Sequence, residues 1–123
     1  MRKESIPSPD WDTPRAVKAG GFIFLSGMTS KNPGGGYEAP GDIVVQLHVI
    51  IKRIEENLAA AGATLDDVVK VVAYIDDSKK HQQFNAAYLE HFRQNRPART
   101  TIQAGGFEEG ACIELDVIAI SLD

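Results

Sequence analysis

The apolar residues of this chain change their spacing several times, and each change marks a predicted element. Phe22, Ile23, Phe24 and Leu25 form a hydrophobic run behind Gly20 and Gly21, with Ala16 to Ala19 before them, which predicts a hairpin of two short strands. Pro7, Pro9 and Pro14 break up the first fifteen residues. From Ile43 the pattern turns helical. Ile43, Leu47, Ile50, Ile51, Ile54 and Leu58 recur every three or four positions, with Asp42 suited to cap the start and Gly62 to close the end. Val68 to Ile75 is apolar at Val68, Val69, Val71, Val72, Ala73 and Ile75, which reads as a largely β-branched strand, central and covered on both faces.

A second helix from about Ser78 carries Phe84, Ala87, Tyr88, His91 and Phe92 on one stripe, and Pro97 is the latest point it can reach. Two strands near residues 99 to 104 and 111 to 121, joined through Gly105 and Gly106, complete the chain. The predicted class is α+β, a mixed sheet with two helices on one face. Its other face would expose more apolar surface than a soluble monomer normally carries, and a homo-oligomer packing sheet against sheet is the simplest cover.

Composition narrows the field. A chain of 123 residues, 43% hydrophobic, fits one domain spanning residues 1 to 123. The 13 basic against 17 acidic residues give a net charge of -4, with no basic field to attract nucleic acid. No segment approaches the roughly 18 apolar residues of a membrane span, so a cytoplasmic protein is expected. Cys112 is alone and suits a small core position. His48, His81 and His91 lack ligand spacing, so no metal is expected. Asn32 to Gly36 lacks the residues of a phosphate loop and reads as a flexible surface loop.

The candidate chemistry lies on the last two strands, read as neighbours. Side chains alternate between faces, so Arg99, Thr101 and Gln103 share one side of the first, and Glu114 and Asp116 one side of the second. If Ala104 pairs with Ala111, Arg99 lies opposite Asp116, and a two-residue shift sets it opposite Glu114. Such a group is either an ordinary cross-strand ion pair or the core of a site. Ser26 and Gly27 end an apolar strand where backbone can approach a ligand, or they are simply a strand terminus.

Five segments in order then resemble one family. Phe24-Leu25-Ser26-Gly27, Ala61 through Lys70, Phe84-Asn85 with Tyr88, Pro97 through Thr101, and Ile113 through Asp116 with Ile118-Ala119 are similar to successive motifs of the RidA/YjgF reactive-intermediate deaminases. The resemblance implies a chorismate-mutase-like fold and a homotrimer with a site in each of three clefts between subunits. It also implies that Arg99 binds the substrate carboxylate and that Glu114 handles water and ammonia. Ser26, Gly27 and Asn85 would line the cleft, with the backbone around Thr101 helping to hold the substrate. Three positions depart from the family pattern: Thr13 stands where a pocket tyrosine is usual, Thr101 where cysteine is common, and Met28 where glutamine is common. Trp11, two residues before Thr13, either replaces the lost aromatic wall or anchors the amino-terminal arm.

The residue types suit that chemistry. A planar guanidinium holds a carboxylate through two parallel charge-assisted hydrogen bonds. One carboxyl group with a raised pKa can take a proton from water and deliver one to departing nitrogen. An imine is already activated, so no cofactor is expected. The function expected from the resemblance is hydrolysis of 2-imino acids of the 2-aminoacrylate type to 2-oxo acids and ammonia. A 2-aminomuconate-type deaminase and a non-catalytic trimer that binds a carboxylate metabolite are the alternatives. A ribonuclease, suggested by older descriptions of the family, would need a basic groove that the charge does not advertise.

Overall fold

Asp42 sets the start of the longest element in the computed structural model, which describes residues 2–121. Its side chain accepts a hydrogen bond from Val45 N at 3.1 Å, satisfying a donor that the first helical turn leaves free. The helix α1 (Ile43–Ala60) then buries Ile43, Leu47, Ile50, Ile51, Ile54 and Leu58, the stripe its spacing predicts. A single turn of tight helix (Ser78–Lys80) leads into α2 (His81–His91), which buries Phe84, Ala87 and Tyr88 and stops well short of Pro97.

Six strands form one mixed sheet: β1 (Glu4–Ile6), β2 (Ala16–Ala19), β3 (Phe22–Leu25), β4 (Val68–Ile75), β5 (Ala98–Gln103) and β6 (Ile113–Ile120), in the order β1-β2-β3-β6-β4-β5. The hairpin of β2 and β3 is present, with Ala19 facing Phe22 across Gly20 and Gly21. β1 was not expected among the prolines. It pairs antiparallel with β2 through only three residues and ends at Ile6, just before Pro7, whose ring could not donate to a ladder.

The expected carboxy-terminal hairpin does not form. β5 and β6 lie on either side of β4, β5 parallel to it and β6 antiparallel. Residues 104 to 112 therefore cross the end of β4, held there by Ala104 N to Ile75 O at 2.9 Å and Asp76 N to Cys112 O at 3.0 Å. Two glycines in this connection suggested a tight turn, but β4 offers each strand a partner that they would lack as an isolated pair.

Alternation along the strands divides the sheet into two faces. Val71, Ala73 and Ile75 of β4 and Ile113, Leu115, Val117 and Ala119 of β6 lie under the helices in a continuous core with Ile23, Leu47 and Phe84. The opposite face carries Phe22, Phe24 and Ile102, each more than two-fifths exposed, while Val69 is exposed at a bulge in β4. β4 is thus covered on one face by its own chain, not on both as its composition suggested. The apolar open face is the surface for which a partner was expected.

Polar residues tie the helices to this frame. Gln46, fully buried on α1, donates to Ala39 O at 3.0 Å and Gly110 O at 2.7 Å and accepts from Cys112 N at 3.1 Å. It clamps the connection that leads into β6. His48 Nδ1 and His91 Nε2 meet at 2.6 Å between the helices, and burial followed by the nearby His48 lowers the pKa of His91. Among the described residues no group of three metal-ligating side chains forms, and no helix is long and apolar enough to cross a membrane. Asn32 to Gly36 closes as a turn with Gly35 N to Asn32 O at 2.9 Å.

Replacing Gln46 by Ala strands the buried Cys112 N and opens a cavity, while Ala39 O and Gly110 O each lose one of two donors and keep Asp42 N and Gly41 N. The expected loss is about 2–4 kcal/mol in urea unfolding, several times that of an exposed α1 substitution such as Lys52→Ala.

Candidate functional site

The corrected strand order separates the two residues expected to meet. Arg99 is in register with Val71, and Val71 with Val117, all on the helix-covered side. Glu114 is in register with Tyr74, and Tyr74 with Ile102, on the open side. Arg99 and Glu114 therefore occupy opposite faces of one sheet, with β4 between their strands. Neither an ion pair nor a shared site joins them within a chain.

Each instead belongs to a partial site. On the helix side, the Arg99 guanidinium carbon lies 4.6 Å from the centre of the Tyr88 ring and 5.3 Å from that of Phe84, a cation-π seat that holds the charge at the sheet edge. Both rings come from the α2 stripe, so residues that read as packing also position the guanidinium. The Tyr88 hydroxyl and the Thr101 hydroxyl are buried with no hydrogen-bond partner. Burial pushes the Tyr88 pKa up to about 12, opposed by the positive charge of Arg99. Two orphaned hydroxyls beside an arginine are an unusual concentration of unmet polar groups in a folded core. Asn85 sits half-buried on α2 next to Phe84.

The acidic part is on the open side. Glu114 and Asp116 are both half-buried on β6, and the end of β3 leads directly to them. A Cβ on Gly27 would stand 2.9 Å from Glu114 Oε2 and 2.9 Å from Asp116 Oδ1, so any side chain there would collide with both carboxylates. Gly27 is a close backbone approach to two carboxylates of its own sheet, where the Ser-Gly ending suggested an approach to a ligand. Met28 pins this approach by exchanging backbone hydrogen bonds with Leu115 at 2.9 and 3.0 Å. The Ser26 hydroxyl donates to Pro14 O at 2.6 Å, which fixes the amino-terminal segment rather than leaving a free donor.

Tyr74, which sequence reasoning passed over, donates its hydroxyl to Asp116 Oδ2 at 3.2 Å and holds that carboxylate beside Glu114. Its place in an apolar strand concealed it. Burial first, and then the charge of Asp116, raise the pKa of Glu114. A carboxyl group so raised is suited to exchange protons.

Thr13 is exposed and does not touch this pair. With Trp11, Arg15, Ser26, Gly27 and Asn57 it lines a neighbouring cavity of about 330 Å³ between the amino-terminal segment and α1. Trp11, 42% exposed, lines the cavity wall.

Sheet order and two helices on one face of a mixed six-stranded sheet define the class of fold as chorismate-mutase-like, as in the Rid proteins. Residues 7–121 match the family model described as endoribonuclease L-PSP, and the chain belongs to that family. A RutC family protein of Pyrococcus horikoshii is 34% identical over 116 residues, covering 94% of this chain and 92% of the relative. Among solved structures, YyfA of Yersinia pestis, from the conserved Rid protein family, superposes with a TM-score of 0.85 at 29% identity, covering 98% of this chain and all of that one. Yeast Mmf1 superposes with a TM-score of 0.82 at 26% identity, covering 95% and 93%.

Asp116→Asn removes one of the two causes that raise the Glu114 pKa. A carboxyl-carbon NMR titration should then show the Glu114 midpoint moved toward the ordinary glutamate value, with the part due to burial remaining. An unchanged midpoint would mean that the two carboxylates do not sense each other.

Proposed function

We propose that this protein hydrolyses 2-imino acids of the 2-aminoacrylate type, yielding 2-oxo acids and ammonia, at a site built from two copies of the chain. The observation that carries the reading is the complementarity of the two half-sites. One offers a ring-seated guanidinium with unpartnered hydroxyls, the other a proton-exchanging carboxyl group against bare backbone. A substrate with a carboxylate next to an electrophilic carbon needs both. The apolar open face, on which Glu114 lies, supplies a reason for copies to associate, and the family's trimer with clefts between subunits supports that arrangement.

In this mechanism Arg99 of one copy grips the substrate carboxylate through paired charge-assisted hydrogen bonds. Glu114 of the neighbour, ionised, takes a proton from water as the oxygen bonds to C2. The C=N double bond becomes a single bond as the Glu114 carboxyl group passes that proton to the nitrogen. The regenerated carboxylate then takes the proton of the new hydroxyl and delivers it to the nitrogen, and the C–N bond breaks to leave a ketone and free ammonia. Water and imine are the only reactants, and electrons balance without an oxidant or reductant.

The family description names an endoribonuclease, but a net charge of -4 favours a single small acid over a polyanion.

The test is a panel of 2-imino acids generated in situ from amino acids, with disappearance of the imine and release of ammonia recorded. Arg99→Ala should lower kcat/KM by about 100-fold or more through loss of carboxylate binding. Glu114→Gln should lower kcat by about 100-fold or more while binding persists. If no imine is consumed faster than in buffer, the enzymatic reading fails. If Arg99→Ala abolishes binding of 2-oxo acids in a protein without turnover, a carboxylate-binding role replaces it.

A further inference from the structure

The proposed reaction accounts for two of the three groups on the reacting carbon. The carboxylate goes to Arg99 and the nitrogen to Glu114, which leaves the side chain of the imine without a place. Gly27, which backs onto the two carboxylates, also lines the cavity of about 330 Å³ together with Trp11, Thr13, Arg15, Ser26 and Asn57. That volume is within the range of small-molecule pockets and far exceeds the single methylene of a 2-aminoacrylate.

The cavity has a particular electrostatic character. Arg15 enters it half-buried, its backbone N bonded to Ile6 O at 2.9 Å and its Nε donating to Oδ1 of Asn57 at 2.9 Å. Asn57 is itself 7% exposed, so the guanidinium is aimed by a buried partner. Its two Nη groups make no hydrogen bond among the described residues.

The other two cations of the wall are committed elsewhere. Arg53 donates to Thr29 O at 3.1 Å, Lys31 O at 2.6 Å and Asn32 Oδ1 at 3.2 Å, and Lys31 pairs with Glu108 at 2.9 Å. Asp10 and Glu56 also line the cavity, but both are exposed at its rim, where water screens them. Ser8 Oγ accepts from Asp10 N at 3.2 Å and Trp11 N at 3.1 Å, fixing the turn that presents the indole. An uncommitted fork of donors beside an aromatic wall fits a planar acid at the end of a short apolar arm.

We propose that this cavity receives the substrate side chain and that Arg15 binds a second carboxylate there, so that the preferred substrates are acidic 2-imino acids. The inference rests on the deaminase reading and assigns specificity to residues outside the Arg99 and Glu114 pair. Thr13 fits the same assignment, since it lines the cavity with a smaller side chain than the tyrosine usual at that position in the family.

Imines generated from glutamate and from norvaline, matched in chain length, supply the comparison. The wild-type protein should prefer the acidic imine by about tenfold or more in kcat/KM, as expected for a charge-assisted bidentate contact. Arg15→Gln should collapse that ratio to near one, and Arg15→Lys should restore part of it, with thermal melting confirming that each variant folds. Equal turnover of both imines by the wild-type protein, or an unchanged ratio in Arg15→Gln, overturns the proposal.

A calorimetric arm separates this outcome from failure of the deaminase reading, because it needs no turnover. 2-Oxoglutarate should bind the wild-type protein about tenfold more tightly than 2-oxovalerate does, and Arg15→Gln should remove the difference. Equal binding of the two acids contradicts the assignment whether or not any imine is hydrolysed.

Discussion

The two-residue period of a strand decides most of what this molecule can do. β4 takes β5 on one side and β6 on the other, and its register fixes Arg99 beneath the helices and Glu114 on the open face. No side-chain movement brings a guanidinium through a hydrogen-bonded sheet. A site that needs both groups must be completed by another copy. The apolar residues on the open face then acquire a second meaning, since the contact that covers Phe22 and Phe24 would also assemble the chemistry.

Each half-site is prepared in advance. Arg99 is seated on Tyr88 and Phe84, rings whose positions are fixed by the same packing that anchors α2. Asp116 is held by Tyr74, and Glu114 lies against backbone that can approach only because residue 27 has no side chain. Orientation is thereby settled by folding rather than by binding, which is how rigid elements lower the cost of catalysis. The raised pKa of Glu114 comes from burial and a like charge nearby. A guanidinium arriving from a neighbouring copy would oppose that shift, so assembly itself would tune the proton exchange.

Much of this was legible in the amino-acid order. The spacing of Ile43 to Leu58 and the cap at Asp42 marked α1 because helical periodicity and capping are local properties. The β2 and β3 hairpin and the apolar register of β6 were readable for the same reason. Strand neighbours were not, because pairing between distant strands is decided by tertiary packing. The glycines at residues 105 and 106 suggested a turn, whereas their segment spans the end of β4. The importance of Arg99 and Glu114 came from their surrounding motifs, and the faces they occupy came only from the sheet order. Tyr74 and Arg15 carried no signal of their own, one inside an apolar strand and the other between Pro14 and the first residue of β2.

Whether the site is shared between copies can be decided by mixing two inactive proteins. Arg99→Ala retains an intact Glu114 half-site, and Glu114→Gln retains an intact Arg99 half-site. Each should be inactive alone on a 2-imino acid. Unfolded together at equal amounts and refolded, they should form mixed oligomers in which about a quarter of the sites pair two intact halves, with imine hydrolysis recovering to that fraction of wild type. Activity that stays at the level of the separate variants, in oligomers shown by mass spectrometry to be mixed, would contradict a site built from two chains.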